Sequence, residues 1–208
     1  MGSVKCLECG KILISRSRHD FVQCDCPNQT FVDGGDNYIR VGGIDLSKIE
    51  VLSDTNTNIV KTNKISGFFG KYRFLSNFFQ SKIKFNGKTY KTAEHLYQSL
   101  KATNEIDAEK IRKSPSPSEA KKISRSIKIR DNWDSIKVGI MFMVIKLKFE
   151  QNKELALKLL NTKNIYLEET NNWNDTFWGV TSSGGYNILG NLLMILRKML
   201  GGKNETGN

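Results

Sequence analysis

Beyond Cys26 this 208-residue chain has no cysteine. Disulfides therefore cannot staple the larger part of it, and its fold must rest on an apolar core, which a chain of this length can supply. Long apolar runs are missing too. The longest, Val138 to Ile145, is interrupted by Lys146 and falls far short of the ~20 residues that cross a bilayer. A secretory leader is not evident, because Met1 to Lys5 is followed at once by Cys6, Leu7 and Glu8 rather than by an apolar stretch. These absences lead us to expect a soluble cytoplasmic protein with no membrane partner, in a reducing compartment that disfavours disulfides. There is no internal repeat, and one segment is nearly free of acid. Between Lys110 and Arg130 stand eight basic residues (Lys110, Arg112, Lys113, Lys121, Lys122, Arg125, Lys128, Arg130) against Glu119 alone.

The formal net charge is +11, and residues 1–50 carry six basic and seven acidic groups, so the remainder carries +12. The basicity belongs to the larger part of the chain. A run as dense as Lys110 to Arg130 suits a polyphosphate or a nucleic-acid backbone, and it also suits a plain solvated helix face.

All four cysteines fall in the first 26 residues, as Cys6-Leu-Glu-Cys9 and Cys24-Asp-Cys26 with fourteen residues between. Two short pairs bracketing a hairpin-length insert are the pattern of a small zinc ribbon, in which four thiolates close a tetrahedral structural site and supply folding energy. The second pair is tight, and His19 is an alternative ligand for one cysteine. Free thiols or a redox pair are the other readings. After them, Thr30 to Gly42 reads as a β-hairpin with a glycine-containing turn and Ile44 to Leu52 as a further extended piece. The expected organisation is a β module over 1–52, a polar linker over 53–62, a second domain over 63–202 and a disordered tail over 203–208.

In the second domain Asn86-Gly87 marks a hairpin turn, and Thr92 is a candidate N-cap for a helix running to Lys101. On that helix Ala93, Leu96, Tyr97 and Leu100 form the apolar face. Glu94 and Lys101 project within about 20° of each other at the margin of that face, with Gln98 beside them. Their spacing of seven residues, about 10.5 Å of rise, is too long for an ordinary surface ion pair, so both side chains can converge on a ligand. His95 points away from both stripes and is given no role. Ser114-Pro-Ser-Pro-Ser118 breaks the chain before a basic helix over 118–126. A core helix follows with Ile136, Ile140, Met143, Val144 and Leu147 on one face, then another with Leu155, Ala156, Leu159 and Leu160, and a last helix over 189–200. Met141 and Met143 read as gap-filling core.

Thr92-Ala-Glu-His-Leu-Tyr-Gln-Ser-Leu-Lys101, Phe74-Leu-Ser-Asn77-Phe, Asn132-Trp133, Leu167-Glu168-Glu169, Asn174-Asp175-Thr-Phe-Trp178-Gly179 and Asn187-Ile-Leu-Gly190 through Arg197 occur in that order. In these motifs, from about Gly67 to Leu200, the chain resembles the NADAR family of YbiA-like N-glycosidases. The resemblance implies an α+β, predominantly helical catalytic domain that cleaves an N-glycosidic bond at ribose. Such cleavage needs a negative charge beside an oxocarbenium-like centre, a way to handle the leaving base and clamps for phosphate. Carried onto this sequence, Glu94 is the catalytic carboxylate and Lys101 either a phosphate clamp or an amine that captures the opened sugar as a Schiff base. Arg73, Asn77, Gln98, Trp133, Glu168, Asp175, Trp178, Gly179 and Asn187 are the substrate-binding candidates. Trp133 and Trp178 can stack on a base or pack in the core. Gly179 can let backbone approach a ligand, and the Asn and Asp residues also suit turn or cap duty. No cofactor is expected for catalysis.

The reading that follows is removal of ADP-ribose from guanine bases, on DNA, by a bacterial or phage-encoded enzyme countering a DNA ADP-ribosylating toxin. Its partner would be ADP-ribosylated nucleic acid, held with help from the ribbon. A second reading is hydrolysis of phosphorylated riboflavin-biosynthesis intermediates. A third, from another class, is a non-catalytic module that binds ADP-ribose or nucleic acid.

Overall fold

β-Branched residues in alternation with polar ones dominate the first third of the chain, and strands result. In the computed structural model, which describes residues 1–17, 20–35, 38–52 and 58–205, these are β1 (Gly2–Cys6), β2 (Ile12–Ser15), β3 (Val22–Gln23), β4 (Phe31–Gly35), β5 (Tyr38–Gly43), β6 (Ile49–Val51) and β7 (Asn58–Ser66). Then come β8 (Gln80–Phe85), β9 (Lys88–Thr92), α1 (Ala93–Ser99), α2 (Glu105–Lys113), α3 (Pro117–Ser124), α4 (Trp133–Glu150), α5 (Lys153–Leu160), β10 (Tyr166–Glu168) and α6 (Ile188–Glu205). The whole is a mixed fold with more helix than strand. His19, residues 53–57 of the expected linker and residues 206–208 of the expected tail lie outside the described residues. No helix among the described residues is long and apolar enough to cross a membrane. The chain divides into two compact units, Met1–Tyr72 with Asn164–Met194, and Arg73–Lys163 with Ile195–Asn208.

In the first unit β1 lies between β2 and β6, antiparallel to both. Its period-2 pattern buries Val4 and Cys6, and β2 buries Leu13 while leaving Ile12 and Ile14 exposed. Val32, Ile39, Val41 and Ile49 complete a core that includes Cys6 and Cys24. So small a cluster offers limited hydrophobic stabilisation, at roughly 1.5–3 kcal/mol per buried aliphatic side chain.

The second sheet runs β10-β7-β5-β4-β3. Hairpin β4–β5 is the one expected over Thr30 to Gly42. Strand β5 then pairs in parallel with β7, from Tyr38 opposite Asn58 to Gly43 opposite Asn63, and β7 pairs in parallel with β10. Residues 58–62, expected to end a linker, instead form the first half of β7. Ile59, Val60, Thr62 and Ile65 give this segment the branched side chains of a strand. The N-terminal hairpin and β10 thus belong to one sheet.

In the second unit, Asn86 and Gly87 both take positive φ, 46° and 74°, the two-residue turn that matches the twist of hairpin β8–β9. Thr92 ends β9 and caps α1, its Oγ1 accepting from the His95 N–H at 3.2 Å. Helix α1 packs against α2, α3, α4, β8 and β9, which is why all seven of its residues are buried. Asn104 and Ser116 cap α2 and α3. Helix α4 departs from expectation. Ile136, Ile140, Met143 and Leu147 are only half-buried, whereas Trp133, Met141, Val144, Ile145, Lys148 and Phe149 are buried. A helix apolar on most sides has no unique stripe, so its neighbours select one. They also bury Lys148, whose Nζ donates to the carbonyls of Phe74 (2.6 Å) and Ser76 (2.8 Å).

Candidate active site

Glu94 sits in the first turn of α1 and is 5% exposed. Its backbone N–H donates to the Asn77 carbonyl (3.0 Å), and its Oε1 accepts from Gln98 Nε2 (2.7 Å). Gln98 Oε1 in turn accepts from Ser124 Oγ at 2.5 Å. The expectation that Glu94 lies at the margin of an apolar face is corrected: it is enclosed, in a buried polar chain joining α1 to α3.

Lys101 is corrected as well. Helix α1 ends at Ser99 with Leu100 as C-cap, so Lys101 is not on the same helical stripe as Glu94. The turn beyond the helix is held from outside: Ala102 bridges to Ile129, Arg130 N–H donates to the Lys101 carbonyl (3.0 Å) and Arg130 Nε to the Leu100 carbonyl (2.9 Å). From there the amine reaches the Tyr97 and Trp133 rings, 5.4 and 5.6 Å from their centroids. Burial lowers the Lys101 pKa from its ordinary value; the Glu94 carboxylate opposes this, and Lys121, Arg125 and Lys137 reinforce it. Trp133 is 6% exposed and tilted against Tyr97, with ring centroids 5.2 Å apart. The two rings thus form a wall beside the amine.

Asn77 is buried. Its Nδ2 lies 3.2 Å from Met141 Sδ, and its Oδ1 has no hydrogen-bond partner among the described residues. Arg73 is exposed, on a 3-10 turn over Gly70–Leu75. His95 is fully buried between Thr92 Oγ1 and the Ser114 carbonyl, and burial lowers its pKa. The second unit therefore brings Glu94, Gln98, Lys101 and Trp133 together, adds Asn77 through its backbone, and supplies Ser124 and Lys137, which the sequence reading missed. Ser124 carries no motif, and its part is visible only once α3 is packed on α1.

The basic run divides. Arg112 donates twice to Glu109 at 2.8 Å, Lys113 and Lys88 also pair with Glu109, and Lys122 pairs with Glu119 at 3.8 Å. The Arg112 and Lys88 hydrogen bonds hold the Glu109 carboxyl well below the usual range. Lys121 and Arg125 are the members whose charge bears on Lys101.

The other candidates lie in the first unit. Glu168 on β10 is ion-paired with Lys64 at 2.5 Å and accepts from Thr170 Oγ1 at 3.0 Å. Lys64 also sits 4.8 Å from the Phe31 ring centroid. Asp175 accepts from the Trp178 N–H at 2.9 Å, holding the turn that presents Trp178, which is half-buried and edge-on to Phe177. A Cβ at Gly179 would come within 2.2 Å of the Glu169 carbonyl, so the close approach this glycine permits is to backbone of its own unit. Asn187, at φ 52°, spends its amide on the chain: Oδ1 accepts from Glu169 N–H (3.0 Å), and Nδ2 donates to the Leu167 carbonyl (2.8 Å) and Tyr166 OH (3.0 Å). It brackets the end of β10.

The Sγ atoms of Cys6, Cys9, Cys24 and Cys26 all lie within 4.8 Å of one another, with Cys6 to Cys26 at 3.5 Å and Cys24 to Cys26 at 3.3 Å. Tetrahedral zinc with Zn–S near 2.3 Å needs sulfurs about 3.8 Å apart, so the cluster is of the right size to hold a metal ion. Burial pushes the Cys6 thiol up, but hydrogen bonds from Thr30, the backbone of Cys9 and Glu8, and Cys26 bring it down to about 7. Burial pushes Cys24 well up.

Residues 61–201 match the NADAR domain family, and residues 2–43 match a domain of unknown function, DUF7695. The chain is similar to the N-glycosidase YbiA of Escherichia coli (strain K12), 40% identical over 153 residues covering 72% of this chain and 91% of that protein. It is also similar to the riboflavin biosynthesis protein VVA0006 of Vibrio vulnificus, 35% identical over 130 residues, 61% of this chain and 35% of that protein. Its fold is similar to the NMR structure of the E. coli protein YbiA, with a TM-score of 0.64 and 37% identity over 72% of this chain and 92% of that one. On the match across residues 61–201 and the shared fold, this chain belongs to the NADAR domain family.

Proposed function

We propose that this chain is an N-glycosidase that removes ADP-ribose from guanine bases of DNA, reversing toxin-catalysed modification inside a bacterial cell. The observation that carries the reading is the buried Glu94 carboxylate, held by Gln98, beside a desolvated Lys101 amine among Lys121, Arg125 and Lys137. When the bond from the anomeric carbon to the base breaks, its electron pair leaves with the base and positive charge grows on the sugar. A preorganised carboxylate in a water-poor site stabilises that charge and takes the proton of the attacking water. The cations around Lys101 suit a pyrophosphate, and the exposed basic side of α3 suits a nucleic-acid backbone.

Relatives named for riboflavin biosynthesis support a second reading, hydrolysis of phosphorylated intermediates of that pathway. Incubation with guanine-ADP-ribosylated single-stranded DNA and, separately, with those intermediates, followed by mass spectrometry of the products, decides between them. Release of ADP-ribose from DNA is the expected result. Binding without turnover of either would leave the non-catalytic reading.

Lys121→Gln with Arg125→Gln is expected to weaken single-stranded DNA binding and make its salt slope shallower by about 1.4, the value for two lost phosphate contacts. Removing these cations also relieves the depression of Lys101, so the pH at which its amine becomes neutral should rise. An unchanged salt slope returns α3 to a solvated face.

We further propose a structural zinc ion on Cys6, Cys9, Cys24 and Cys26, contributing folding energy to the small core beside it rather than chemistry to the active site. The support is the compact set of four sulfurs with backbone and hydroxyl donors aimed at Cys6. Metal analysis of the purified protein should find about one zinc per chain, and chelation should melt the N-terminal strands. Zinc-free protein with those strands intact would remove the assignment.

A further inference from the structure

Two buried side chains, one from each of two helices, stand in line behind the Glu94 carboxylate. Glu94, Gln98 and Ser124 are 5%, 3% and 4% exposed. Gln98 Nε2 lies 2.7 Å from Glu94 Oε1, and Gln98 Oε1 lies 2.5 Å from Ser124 Oγ. Ser124 Oγ is also 2.9 Å from the Lys121 carbonyl. A hydroxyl has one hydrogen and here two acceptors, and a carboxamide turned by 180° exchanges its donor and acceptor ends.

Two self-consistent settings follow. With Glu94 ionised, Ser124 O–H donates to Gln98 Oε1 and Gln98 N–H donates to the carboxylate. With Glu94 protonated, the amide is reversed: Glu94 O–H donates to Gln98 Oε1, Gln98 N–H donates to Ser124 Oγ, and Ser124 O–H turns to the Lys121 carbonyl. Each link keeps its hydrogen bond in either setting, which matters because an unpaired buried polar group is costly. A carboxylate that takes a proton from water and passes it to the departing base nitrogen must exist in both forms. Resting on the reading of Glu94 as that carboxylate, we propose that Ser124 is a positioning residue whose hydroxyl, by turning between Gln98 and the Lys121 carbonyl, lets Gln98 hold Glu94 in its ionised and its protonated form alike.

The charges around this line remain in place when Ser124 is changed. Lys101 beyond α1 senses Glu94, and Lys121 and Arg125 on α3 and Lys137 on α4 act on Lys101. His95 on α1 is turned to Thr92 and Ser114. On β9, Lys91 is bonded to the Ser114 carbonyl, and on α2, Arg112 is bonded to Glu109. Lys82 and Lys84 on β8 are exposed.

The test is a carbon-13 carboxyl NMR titration of the full chain as parent, Ser124→Ala and Ser124→Thr, with Glu94→Gln locating the Glu94 signal. Loss of the hydroxyl leaves the Gln98 carboxamide oxygen without a donor when Glu94 is ionised and a Gln98 N–H without an acceptor when it is protonated; the orphaned N–H is the costlier, so the Glu94 midpoint in Ser124→Ala should fall by about one pH unit. Ser124→Thr keeps the hydroxyl and should stay near the parent. With ADP-ribosylated oligonucleotide, Ser124→Ala should lose about tenfold in kcat with KM held. If Ser124→Ala does not fold, Ser124→Cys, a weak donor of similar size, carries the same titration. A Glu94 midpoint equal to the parent's overturns the proposal. A shifted midpoint in a protein that turns over no N-glycoside keeps the positioning role and overturns the proposed function instead.

Discussion

Glu94→Gln is expected to fold as the parent does and to lose about 10²-fold or more in kcat, with KM little changed. The substitution keeps the shape of the side chain and an oxygen that accepts from Gln98 Nε2, in place of the 2.7 Å bond made by the carboxylate. On the proposed function, what it removes is the charge that meets the developing oxocarbenium centre and the base that receives the proton of water. Because Glu94 is enclosed by the elements around α1 rather than placed at a surface margin, water screens its charge poorly, which is what the proposed stabilisation of a sugar cation requires. The same enclosure means that thermal denaturation of the variant must be measured beside its kinetics. A parental melting temperature with a collapsed kcat is the expected pair, and parental turnover would place the chemistry elsewhere.

What was legible in the sequence was local. Thr92 before a helix, Asn86-Gly87 between strands, and Ser116 ahead of Pro117 act on their own neighbours within a few residues, and the structure uses each as turn chemistry requires. What was not legible was fixed from a distance. The helical wheel placed Lys101 on one stripe with Glu94, but the bridge from Ala102 to Ile129 and the hold of Arg130 end α1 two residues earlier. Nothing within the Thr92 to Lys101 motif announces a partner some thirty residues on.

The motif residues of the first unit carry a second lesson. Gly179 and Asn187 both serve the backbone around β10: a side chain at Gly179 would strike the Glu169 carbonyl, and the Asn187 amide bonds Glu169 N–H and the Leu167 carbonyl. Such a motif records fold as much as chemistry. Glu168 was read as a ligand contact, yet it meets Lys64 of β7, a residue in a strand whose beginning the sequence reading treated as linker. Ser124 shows the converse, a serine in a basic helix whose placement behind Gln98 follows from packing alone.

On the proposed function, Lys101→Ala is expected to abolish turnover almost completely while binding of ADP-ribosylated DNA is retained. A carboxylate as near as Glu94 favours the charged amine over the neutral one. In the structure burial and three other cations outweigh Glu94, so the Lys101 amine is neutral at lower pH than an ordinary lysine. A neutral amine can attack the aldehyde carbon of the opened ribose; water leaves and an imine forms, and a second water later restores the sugar and the amine. Borohydride added during turnover would deliver hydride to the imine carbon and leave the reduced sugar fixed to Lys101 through a secondary amine, visible by peptide mass spectrometry. Lys101→Arg separates the roles further. A guanidinium retains positive charge for a phosphate but forms no imine under these conditions, so it should be as inactive as alanine if the role is covalent. Activity retained by Lys101→Arg, a raised KM as the main defect of Lys101→Ala, and no adduct in the parent would together make Lys101 a phosphate clamp.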